Sequence, residues 1–342
     1  MAKNRPLPTH LLVVRTSALG DVAMVPHALR ALRAAYPALR ITVAVPPVCR
    51  PFFEGLEVDF LDTDTKGRHH SLLGMWRLAR EARRMGIDAV ADIHGVMRSE
   101  AFRYIMHLHG IPIARIRKEH AEKRQFIRRG GAASAPLRHT VLRYCDVFRR
   151  LGFEFDDPTP PVRRERPNPM GEKQGCWIGF APFSAQIGKA YPIDLAREAV
   201  RLLSSRHDRI FIHGGKGIEA EFAAEMERRY PNVTAVHGRL DLAGEMDLIA
   251  NLDCIVSMDS LVMHLASLVV APVVSIWGAT HPGLGFMGWG CDPQHAIQAS
   301  MACRPCSTYG AKPCRYGDYR CLRAVSPQMI VEQVGKIVGT GK

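Results

Sequence analysis

What most constrains this chain is a pattern that recurs along it. A short, wholly apolar run leads into a turn bearing glycine or a hydroxyl, and then into a stretch that is amphipathic at helical spacing. Its first occurrence is the most complete. Leu11 to Val14 reads as a buried strand, Arg15-Thr16-Ser17-Ala18-Leu19-Gly20 as a short turn, and Asp21 as the mouth of a helix from Val22 to about Tyr36. Val25, Leu29 and Leu32 recur on one face of that helix. Ile41 to Val45, Val58 to Leu61 and Ile87 to Ile93 are further strand-like runs. Such runs, alternating with helices over short connections, predict a parallel sheet covered by helices.

Residues 156–175 interrupt the pattern with five prolines and almost no apolar residues, the composition of a linker. Beyond them it restarts. Strands are expected at Trp177 to Ala181, Arg209 to His213, Val233 to Val236, Cys254 to Ser257 and Val273 to Trp277. Helices are expected at Leu195 to Ser204, Glu219 to Tyr230, Leu242 to Leu252, Leu261 to Val269 and Pro327 to about Val338. The fold class is therefore α/β with two Rossmann-like domains, 1–155 and 176–325, followed by a C-terminal helix in 326–342. Two such halves predict a ligand cleft between them.

In parallel sheets ligands collect at the carboxyl ends of the strands, which marks the turns as the places for chemistry. Gly20 permits close backbone approach, and Asp21 reads either as a helix N-cap or as a general base. In the second half, Ser184 and Lys189 follow the first strand; a hydroxyl and an ammonium there suit a phosphate, although the spacing is not that of a P-loop. Asp259-Ser260 opens the helix that carries His264. Its free N–H groups suit a diphosphate, and the plainer alternative is an N-cap above a core histidine. Gly278-Ala279-Thr280 brings a third turn to the same edge. Glu219, after Gly214-Gly215-Lys216-Gly217, is a candidate ribose contact. Neither half has GxGxxG after its first strand, which argues against a nicotinamide dehydrogenase.

The formal net charge of +13 points to an anionic partner: nucleic acid, a phosphorylated glycolipid or an anionic membrane surface. The charge is concentrated in residues 98–150, with 13 Lys/Arg against 4 Asp/Glu. No nucleic-acid motif accompanies it, which favours a phosphorylated acceptor. Asp62-Thr63-Asp64 reads as a solvated loop rather than a metal-binding pair. No apolar run reaches spanning length and the N-terminus lacks a secretory apolar core, so the expected location is cytoplasmic. Nine cysteines then read as thiols or a metal site rather than a disulfide framework. Cys303, Cys306, Cys314 and Cys321, spaced C-x2-C-x7-C-x6-C, match a structural zinc site in number and in their first pair; packed or reversibly oxidised thiols are the alternative.

Arg15-x-Ser17-x-Leu19-Gly20-Asp21, Asp92-x-His94-Gly95-x-x-Arg98-Ser99, Ser184 with Lys189, Asp259-Ser260 with His264, and Gly278-x-Thr280-x-Pro282 occur in this order over nearly the whole chain. This ordered set resembles the bacterial heptosyltransferases of lipopolysaccharide synthesis. It departs from that pattern at His94, where glutamine is more usual, at Leu261, where glycine is usual, and at Ala185, which replaces a hydroxyl. The resemblance implies a GT-B architecture with the acceptor on the first domain, the donor on the second, and a C-terminal helix crossing back to the first. It implies inverting, metal-independent transfer of heptose from ADP-heptose to an anionic Kdo/lipid A acceptor, with Asp21 as catalytic base. Ser184, Lys189, Glu219, Asp259, Ser260, His264 and Thr280 would serve the donor. Ser17, Gly20, His94, Arg98, Arg124 and Arg128 would serve the acceptor, with peripheral contact to the cytoplasmic face of the inner membrane and no nucleic acid. A transferase of another nucleotide sugar for a different envelope glycan, and a non-catalytic basic nucleic-acid binder, are the competing readings.

Overall fold

A computed structural model describes residues 6–64, 67–96, 98–131 and 134–339, without the side chains of Arg98 and Ser99. The chain forms two compact units. One comprises Met1–Glu119 with Thr140–Pro160, the other His120–His139 with Pro161–Lys342.

The first unit runs β1 (His10–Val14), α1 (Leu19–Ala23), α2 (Val25–Ala35), β2 (Arg40–Val45), β3 (Asp59–Asp62), α3 (Leu72–Arg84), β4 (Ala89–Asp92), α4 (Arg98–Leu108) and β5 (Ile113–Arg115). The chain then makes α5 (His120–Arg128) in the second unit and returns for α6 (Thr140–Arg149). The strands pair in parallel in the order β3-β2-β1-β4-β5. All five residues of β1 are buried, as a strand covered on both faces requires. The expected single helix from Val22 is instead two. Pro26 has no N–H to donate back to Val22, and the helix breaks at Met24. It also begins earlier, at Leu19. Asp21 therefore lies within its first turn, the N-cap position falls to Ala18, and Gly20 is helical.

The second unit continues with β6 (Trp177–Ala181), α7 (Ile193–Ser204), β7 (Arg209–Ile212), α8 (Ile218–Arg229), β8 (Val233–Ala235), α9 (Leu242–Asn251), β9 (Cys254–Met258), α10 (Leu261–Val269), β10 (Val273–Trp277), β11 (Ala296–Gln298), α11 (Arg320–Arg323) and α12 (Pro327–Val338). Its six parallel strands are ordered β11-β10-β9-β6-β7-β8.

Three boundaries differ from the expectation. Residues 120–139 pack with the second unit, although their place in the sequence suggests the first. Phe126 stacks 5.4 Å from His281, Leu137 N–H donates to Gly283 O at 2.8 Å, and His139 Nε2 lies 2.7 Å from Met287 O. The proline-rich segment has no regular structure, yet it is tied along the end of α9: Arg166 bonds Asp247 at 2.6 Å, Arg163 bonds Ala250 O at 2.6 Å, and Lys173 pairs with Asp253 at 2.7 Å. Finally, α12 buries Ile330, Val331 and Val334 in the second unit's own core, against α7, β9 and β10. No helix among the described residues is long and apolar enough to cross a membrane.

Candidate active site

In the first sheet the strand order reverses between β1 and β4, so the turns after both strands emerge side by side at the carboxyl edge. There the Arg15 guanidinium forms an ion pair with Asp21 Oδ2 and donates to Ile93 O at 2.9 Å. The Asp21 side chain is about one-third exposed, and its backbone carbonyl accepts from the buried Tyr144 hydroxyl at 3.2 Å. Asp21 is therefore not a helix cap. It is a carboxylate fixed on one oxygen and open to solvent.

His94, at the end of β4, spans the same gap. Its Nδ1 lies 3.0 Å from Thr16 Oγ1 and its Nε2 lies 3.1 Å from Ser17 Oγ. Burial, and then the charge of Arg15, push its pKa down to about 4, so the ring is neutral at pH 7. Fully buried Asp92 accepts the N–H groups of His94 (3.1 Å) and Gly95 (2.8 Å) on one oxygen and the Arg103 guanidinium on the other. Gly95, at φ +62°, completes this turn, and its carbonyl accepts from Arg115 at 3.1 Å. Asp92 thus holds the turn that holds His94.

The second sheet repeats the arrangement, reversing between β6 and β9. Lys189, from the loop after β6, places Nζ 3.2 Å from Asp259 Oδ2 after β9. Buried Thr280, after β10, donates to the same oxygen at 2.9 Å. Ser260 occupies the N-cap position of α10 without capping it, and its Oγ lies 3.3 Å from Ser257 Oγ. The helix's first N–H groups therefore point out at this edge, beside an ammonium and two hydroxyls, as an anion site requires.

The remaining expected residues distribute unevenly. Ser184 is half-buried on the β6 loop. Glu219, in the first turn of α8, accepts the Gly215 N–H at 2.5 Å and so closes the glycine turn after β7. His264 is 5% exposed in α10. Arg98 opens α4, but its side chain lies outside the described residues. The basic cluster divides between the units: Arg115, Arg117 and Lys118 belong to the first, whereas α5 carries Arg124 and Arg128, both exposed, into the second. Assigning Arg124 and Arg128 to the first domain is therefore corrected. Lys123, next to Arg124 in the sequence, is 3% exposed, with Nζ 4.7 Å from the Phe286 ring centroid. Asp62 pairs with Arg50 at 2.6 Å, and Asp64 accepts the N–H groups of Gly67 and Arg68. Asp62 thus ends β3 rather than lying in a loop, and Asp64 fastens the loop that follows.

All nine cysteines are free thiols, and among the described residues no group of three or more His, Cys, Asp or Glu is arranged to hold an ion. The four spaced cysteines differ in exposure. Cys321 is buried in the second unit's core, whereas Cys306 is exposed. The residue that sequence reasoning passed over lies between two of them. Arg304, 5% exposed, donates to Gly278 O (2.6 Å), Thr280 O (2.9 Å) and Ala299 O (2.7 Å), fixing the turn that carries Thr280. The same segment reaches Lys189, whose stem packs so closely on Gly310 (φ +74°) that a Cβ there would collide with it.

Two Rossmann-like units of parallel strands, with polar turns gathered at the switch point of each, have the architecture of the GT-B fold. Residues 75–316 match glycosyltransferase family 9 (heptosyltransferase), and the chain belongs to that family. It is 25% identical over 320 residues to lipopolysaccharide heptosyltransferase 1 of Pseudomonas aeruginosa, covering 90% of this chain and 87% of that one. Among solved structures, a glycosyl transferase family 9 protein from Veillonella parvula superposes with a TM-score of 0.73 at 18% identity, over 96% of this chain and 97% of that one. The E. coli heptosyltransferase WaaC with ADP gives 0.67 at 18% identity, over 95% and 99%.

Proposed function

We propose that this glycosyltransferase transfers heptose, with inversion, from ADP-heptose to an anionic lipopolysaccharide inner-core acceptor (Kdo/lipid A) at a membrane surface. The observation that carries the reading is the meeting of Lys189, Asp259, Thr280 and the α10 N-terminus at one switch point, a ready cradle for a nucleoside diphosphate in a chain of this family. Asp21 takes the proton from the acceptor hydroxyl. The resulting oxygen attacks the anomeric carbon from the face opposite the leaving group, and the bond from that carbon to the diphosphate oxygen breaks, releasing ADP. Lys189, Ser260 and the helix N–H groups meet the charge that develops on the diphosphate, so a metal is not required to neutralise it. Arg15 orients Asp21, and neutral His94 fixes Ser17 and Thr16 beside it.

A panel of nucleotide sugars, scored for thermal stabilisation and nucleoside diphosphate release, tests this. ADP-heptose with acceptor is expected to release ADP. Asp21→Asn is expected to lower kcat by about 10²–10⁴-fold, the worth of a general base, while donor-induced stabilisation persists. Preference for another nucleotide sugar, or an unaffected Asp21→Asn enzyme, overturns the reading.

A further inference from the structure

The first unit carries an amphipathic helical surface that is exposed among the described residues. In α3, Ser71 caps the N-terminus, accepting the Gly74 N–H at 3.1 Å, and Gly74, Met75, Leu78, Ala79 and Ala82 are buried. The opposite side is unusual for a helix facing water. Leu72 is 77% exposed, Leu73 57% and Trp76 46%, three large apolar side chains within five positions. Arg77, Arg80, Arg83 and Arg84 are exposed as well. At about 100° per residue all seven fall within an arc of roughly 140°. That arc holds no carboxylate. The single acid of α3, Glu81, lies beyond its border and is engaged by Arg68 at 3.3 Å, facing buried His69.

We propose that this face of α3 is a membrane-docking surface that seats on an anionic lipid bilayer. An apolar first turn followed by arginines is the composition of a helix that lies in the interface, with Leu and Trp among the acyl chains and guanidinium groups among the phosphates. Trp76, with the Arg80 guanidinium 5.4 Å from its ring centroid, has the half-apolar, half-polar character that settles at headgroup depth. The charge complementarity is one-sided, four cations and no anion, within a chain of net charge +13. The choice of a bilayer over an acidic protein rests in part on the proposed lipid-borne acceptor. The placement agrees with it. Parallel strands put the N-terminus of α3 toward the carboxyl edge of the sheet, the edge that carries Asp21.

The test is flotation of the full chain with phosphatidylethanolamine/phosphatidylglycerol vesicles and with pure phosphatidylcholine vesicles. Two triple variants are compared with wild type: Leu72→Ser/Leu73→Ser/Trp76→Ser and Arg77→Ser/Arg80→Ser/Arg84→Ser. Wild type is expected to bind the anionic vesicles, progressively less as salt rises, and not the neutral ones. Each arginine near an anionic surface is worth about fivefold, so the arginine variant should lose on the order of a hundredfold in partitioning. The apolar variant is expected to lose at least as much. Unchanged thermal midpoints will show that both variants fold. Transfer to a lipid-free acceptor fragment should be unaffected, because no mutated residue lies at a switch point; its failure in wild type would remove the proposed reaction while vesicle binding still supported the docking face. Wild-type indifference to anionic vesicles, or full binding by both variants, overturns the proposal. So does concentration-dependent self-association that the apolar variant abolishes, since the face would then join two copies of the chain.

Discussion

Lys189 and Asp259, seventy positions apart in sequence, meet at 3.2 Å because β6 and β9 are neighbours at the point where the second sheet reverses its strand order. Thr280 completes the group from β10. Three turns that look unremarkable singly become one polar cradle when adjacent strands end together.

Lys189 is therefore expected to matter to nucleotide affinity more than to stability. Lys189→Ala should weaken ADP binding by on the order of ten- to a hundredfold, the usual worth of a hydrogen bond to a charged group. Calorimetric titration with ADP measures it. Equal affinity in wild type and variant would place the diphosphate elsewhere.

His94 gives the first unit a pH signature. Its folded pKa is about 4, below the ordinary histidine value near 6.5, so between these values the unfolded chain binds the proton that the folded chain refuses. Stability from this group is complete above pH 6.5 and drains away as pH falls toward 4, by at most about 3 kcal/mol. His94→Gln retains a donor and an acceptor for Ser17 and Thr16 but does not titrate. Denaturant unfolding from pH 7.5 to 4 should show a shallower acid loss in the variant, and parallel curves would refute the assignment.

The cysteines are expected to separate by reactivity. Backbone N–H groups, that of Tyr316 foremost and then those of Tyr319 and Gly317, hold the Cys314 thiol below its ordinary range. Burial pushes Cys49, Cys254 and Cys291 up to about 12 and Cys176 to about 11. Alkylation of the native protein at pH 7.5, mapped by mass spectrometry, should reach Cys314 first and leave those four unmodified. Protection of Cys303, Cys306, Cys314 and Cys321 together, relieved by a chelator, would instead show that they share a metal.

Arg304→Ala should destabilise the second unit by about 2–4 kcal/mol, because it leaves the buried Gly278 and Thr280 carbonyls without their donor. Nucleotide binding should fall with it, since Thr280 would lose its fixed position. Thermal unfolding with and without ADP separates the two effects.

Most strands were legible because β1, β6, β9 and β10 are buried along their whole length, and burial on both faces writes a continuous apolar run into the sequence. β5 and β11, of three residues each, were not, although the equally short β8 was. The site residues on turns could be named from their chemistry, but not their partners. His94 reaches Ser17 only because β4 lies against β1, and nothing local in either turn encodes strand order. Residues 120–139 misled for a related reason: their many cations obscure Phe126 and Leu137, the contacts that assign them to the second unit. Arg304 was overshadowed by the cysteines on either side of it.

The detour through 120–139 also determines how this protein can be dissected. The backbone passes from one unit to the other three times, so a single scission in the proline-rich segment does not release two self-sufficient halves. A fragment starting at Pro161 would be missing the helix that brings Phe126 to His281 and Lys123 to Phe286, and would emerge with those aromatic surfaces bare. Its counterpart would carry the orphaned helix as a passenger with nothing to fold upon. Workable halves require circular permutation or coexpression that returns residues 120–139 to the piece they complete.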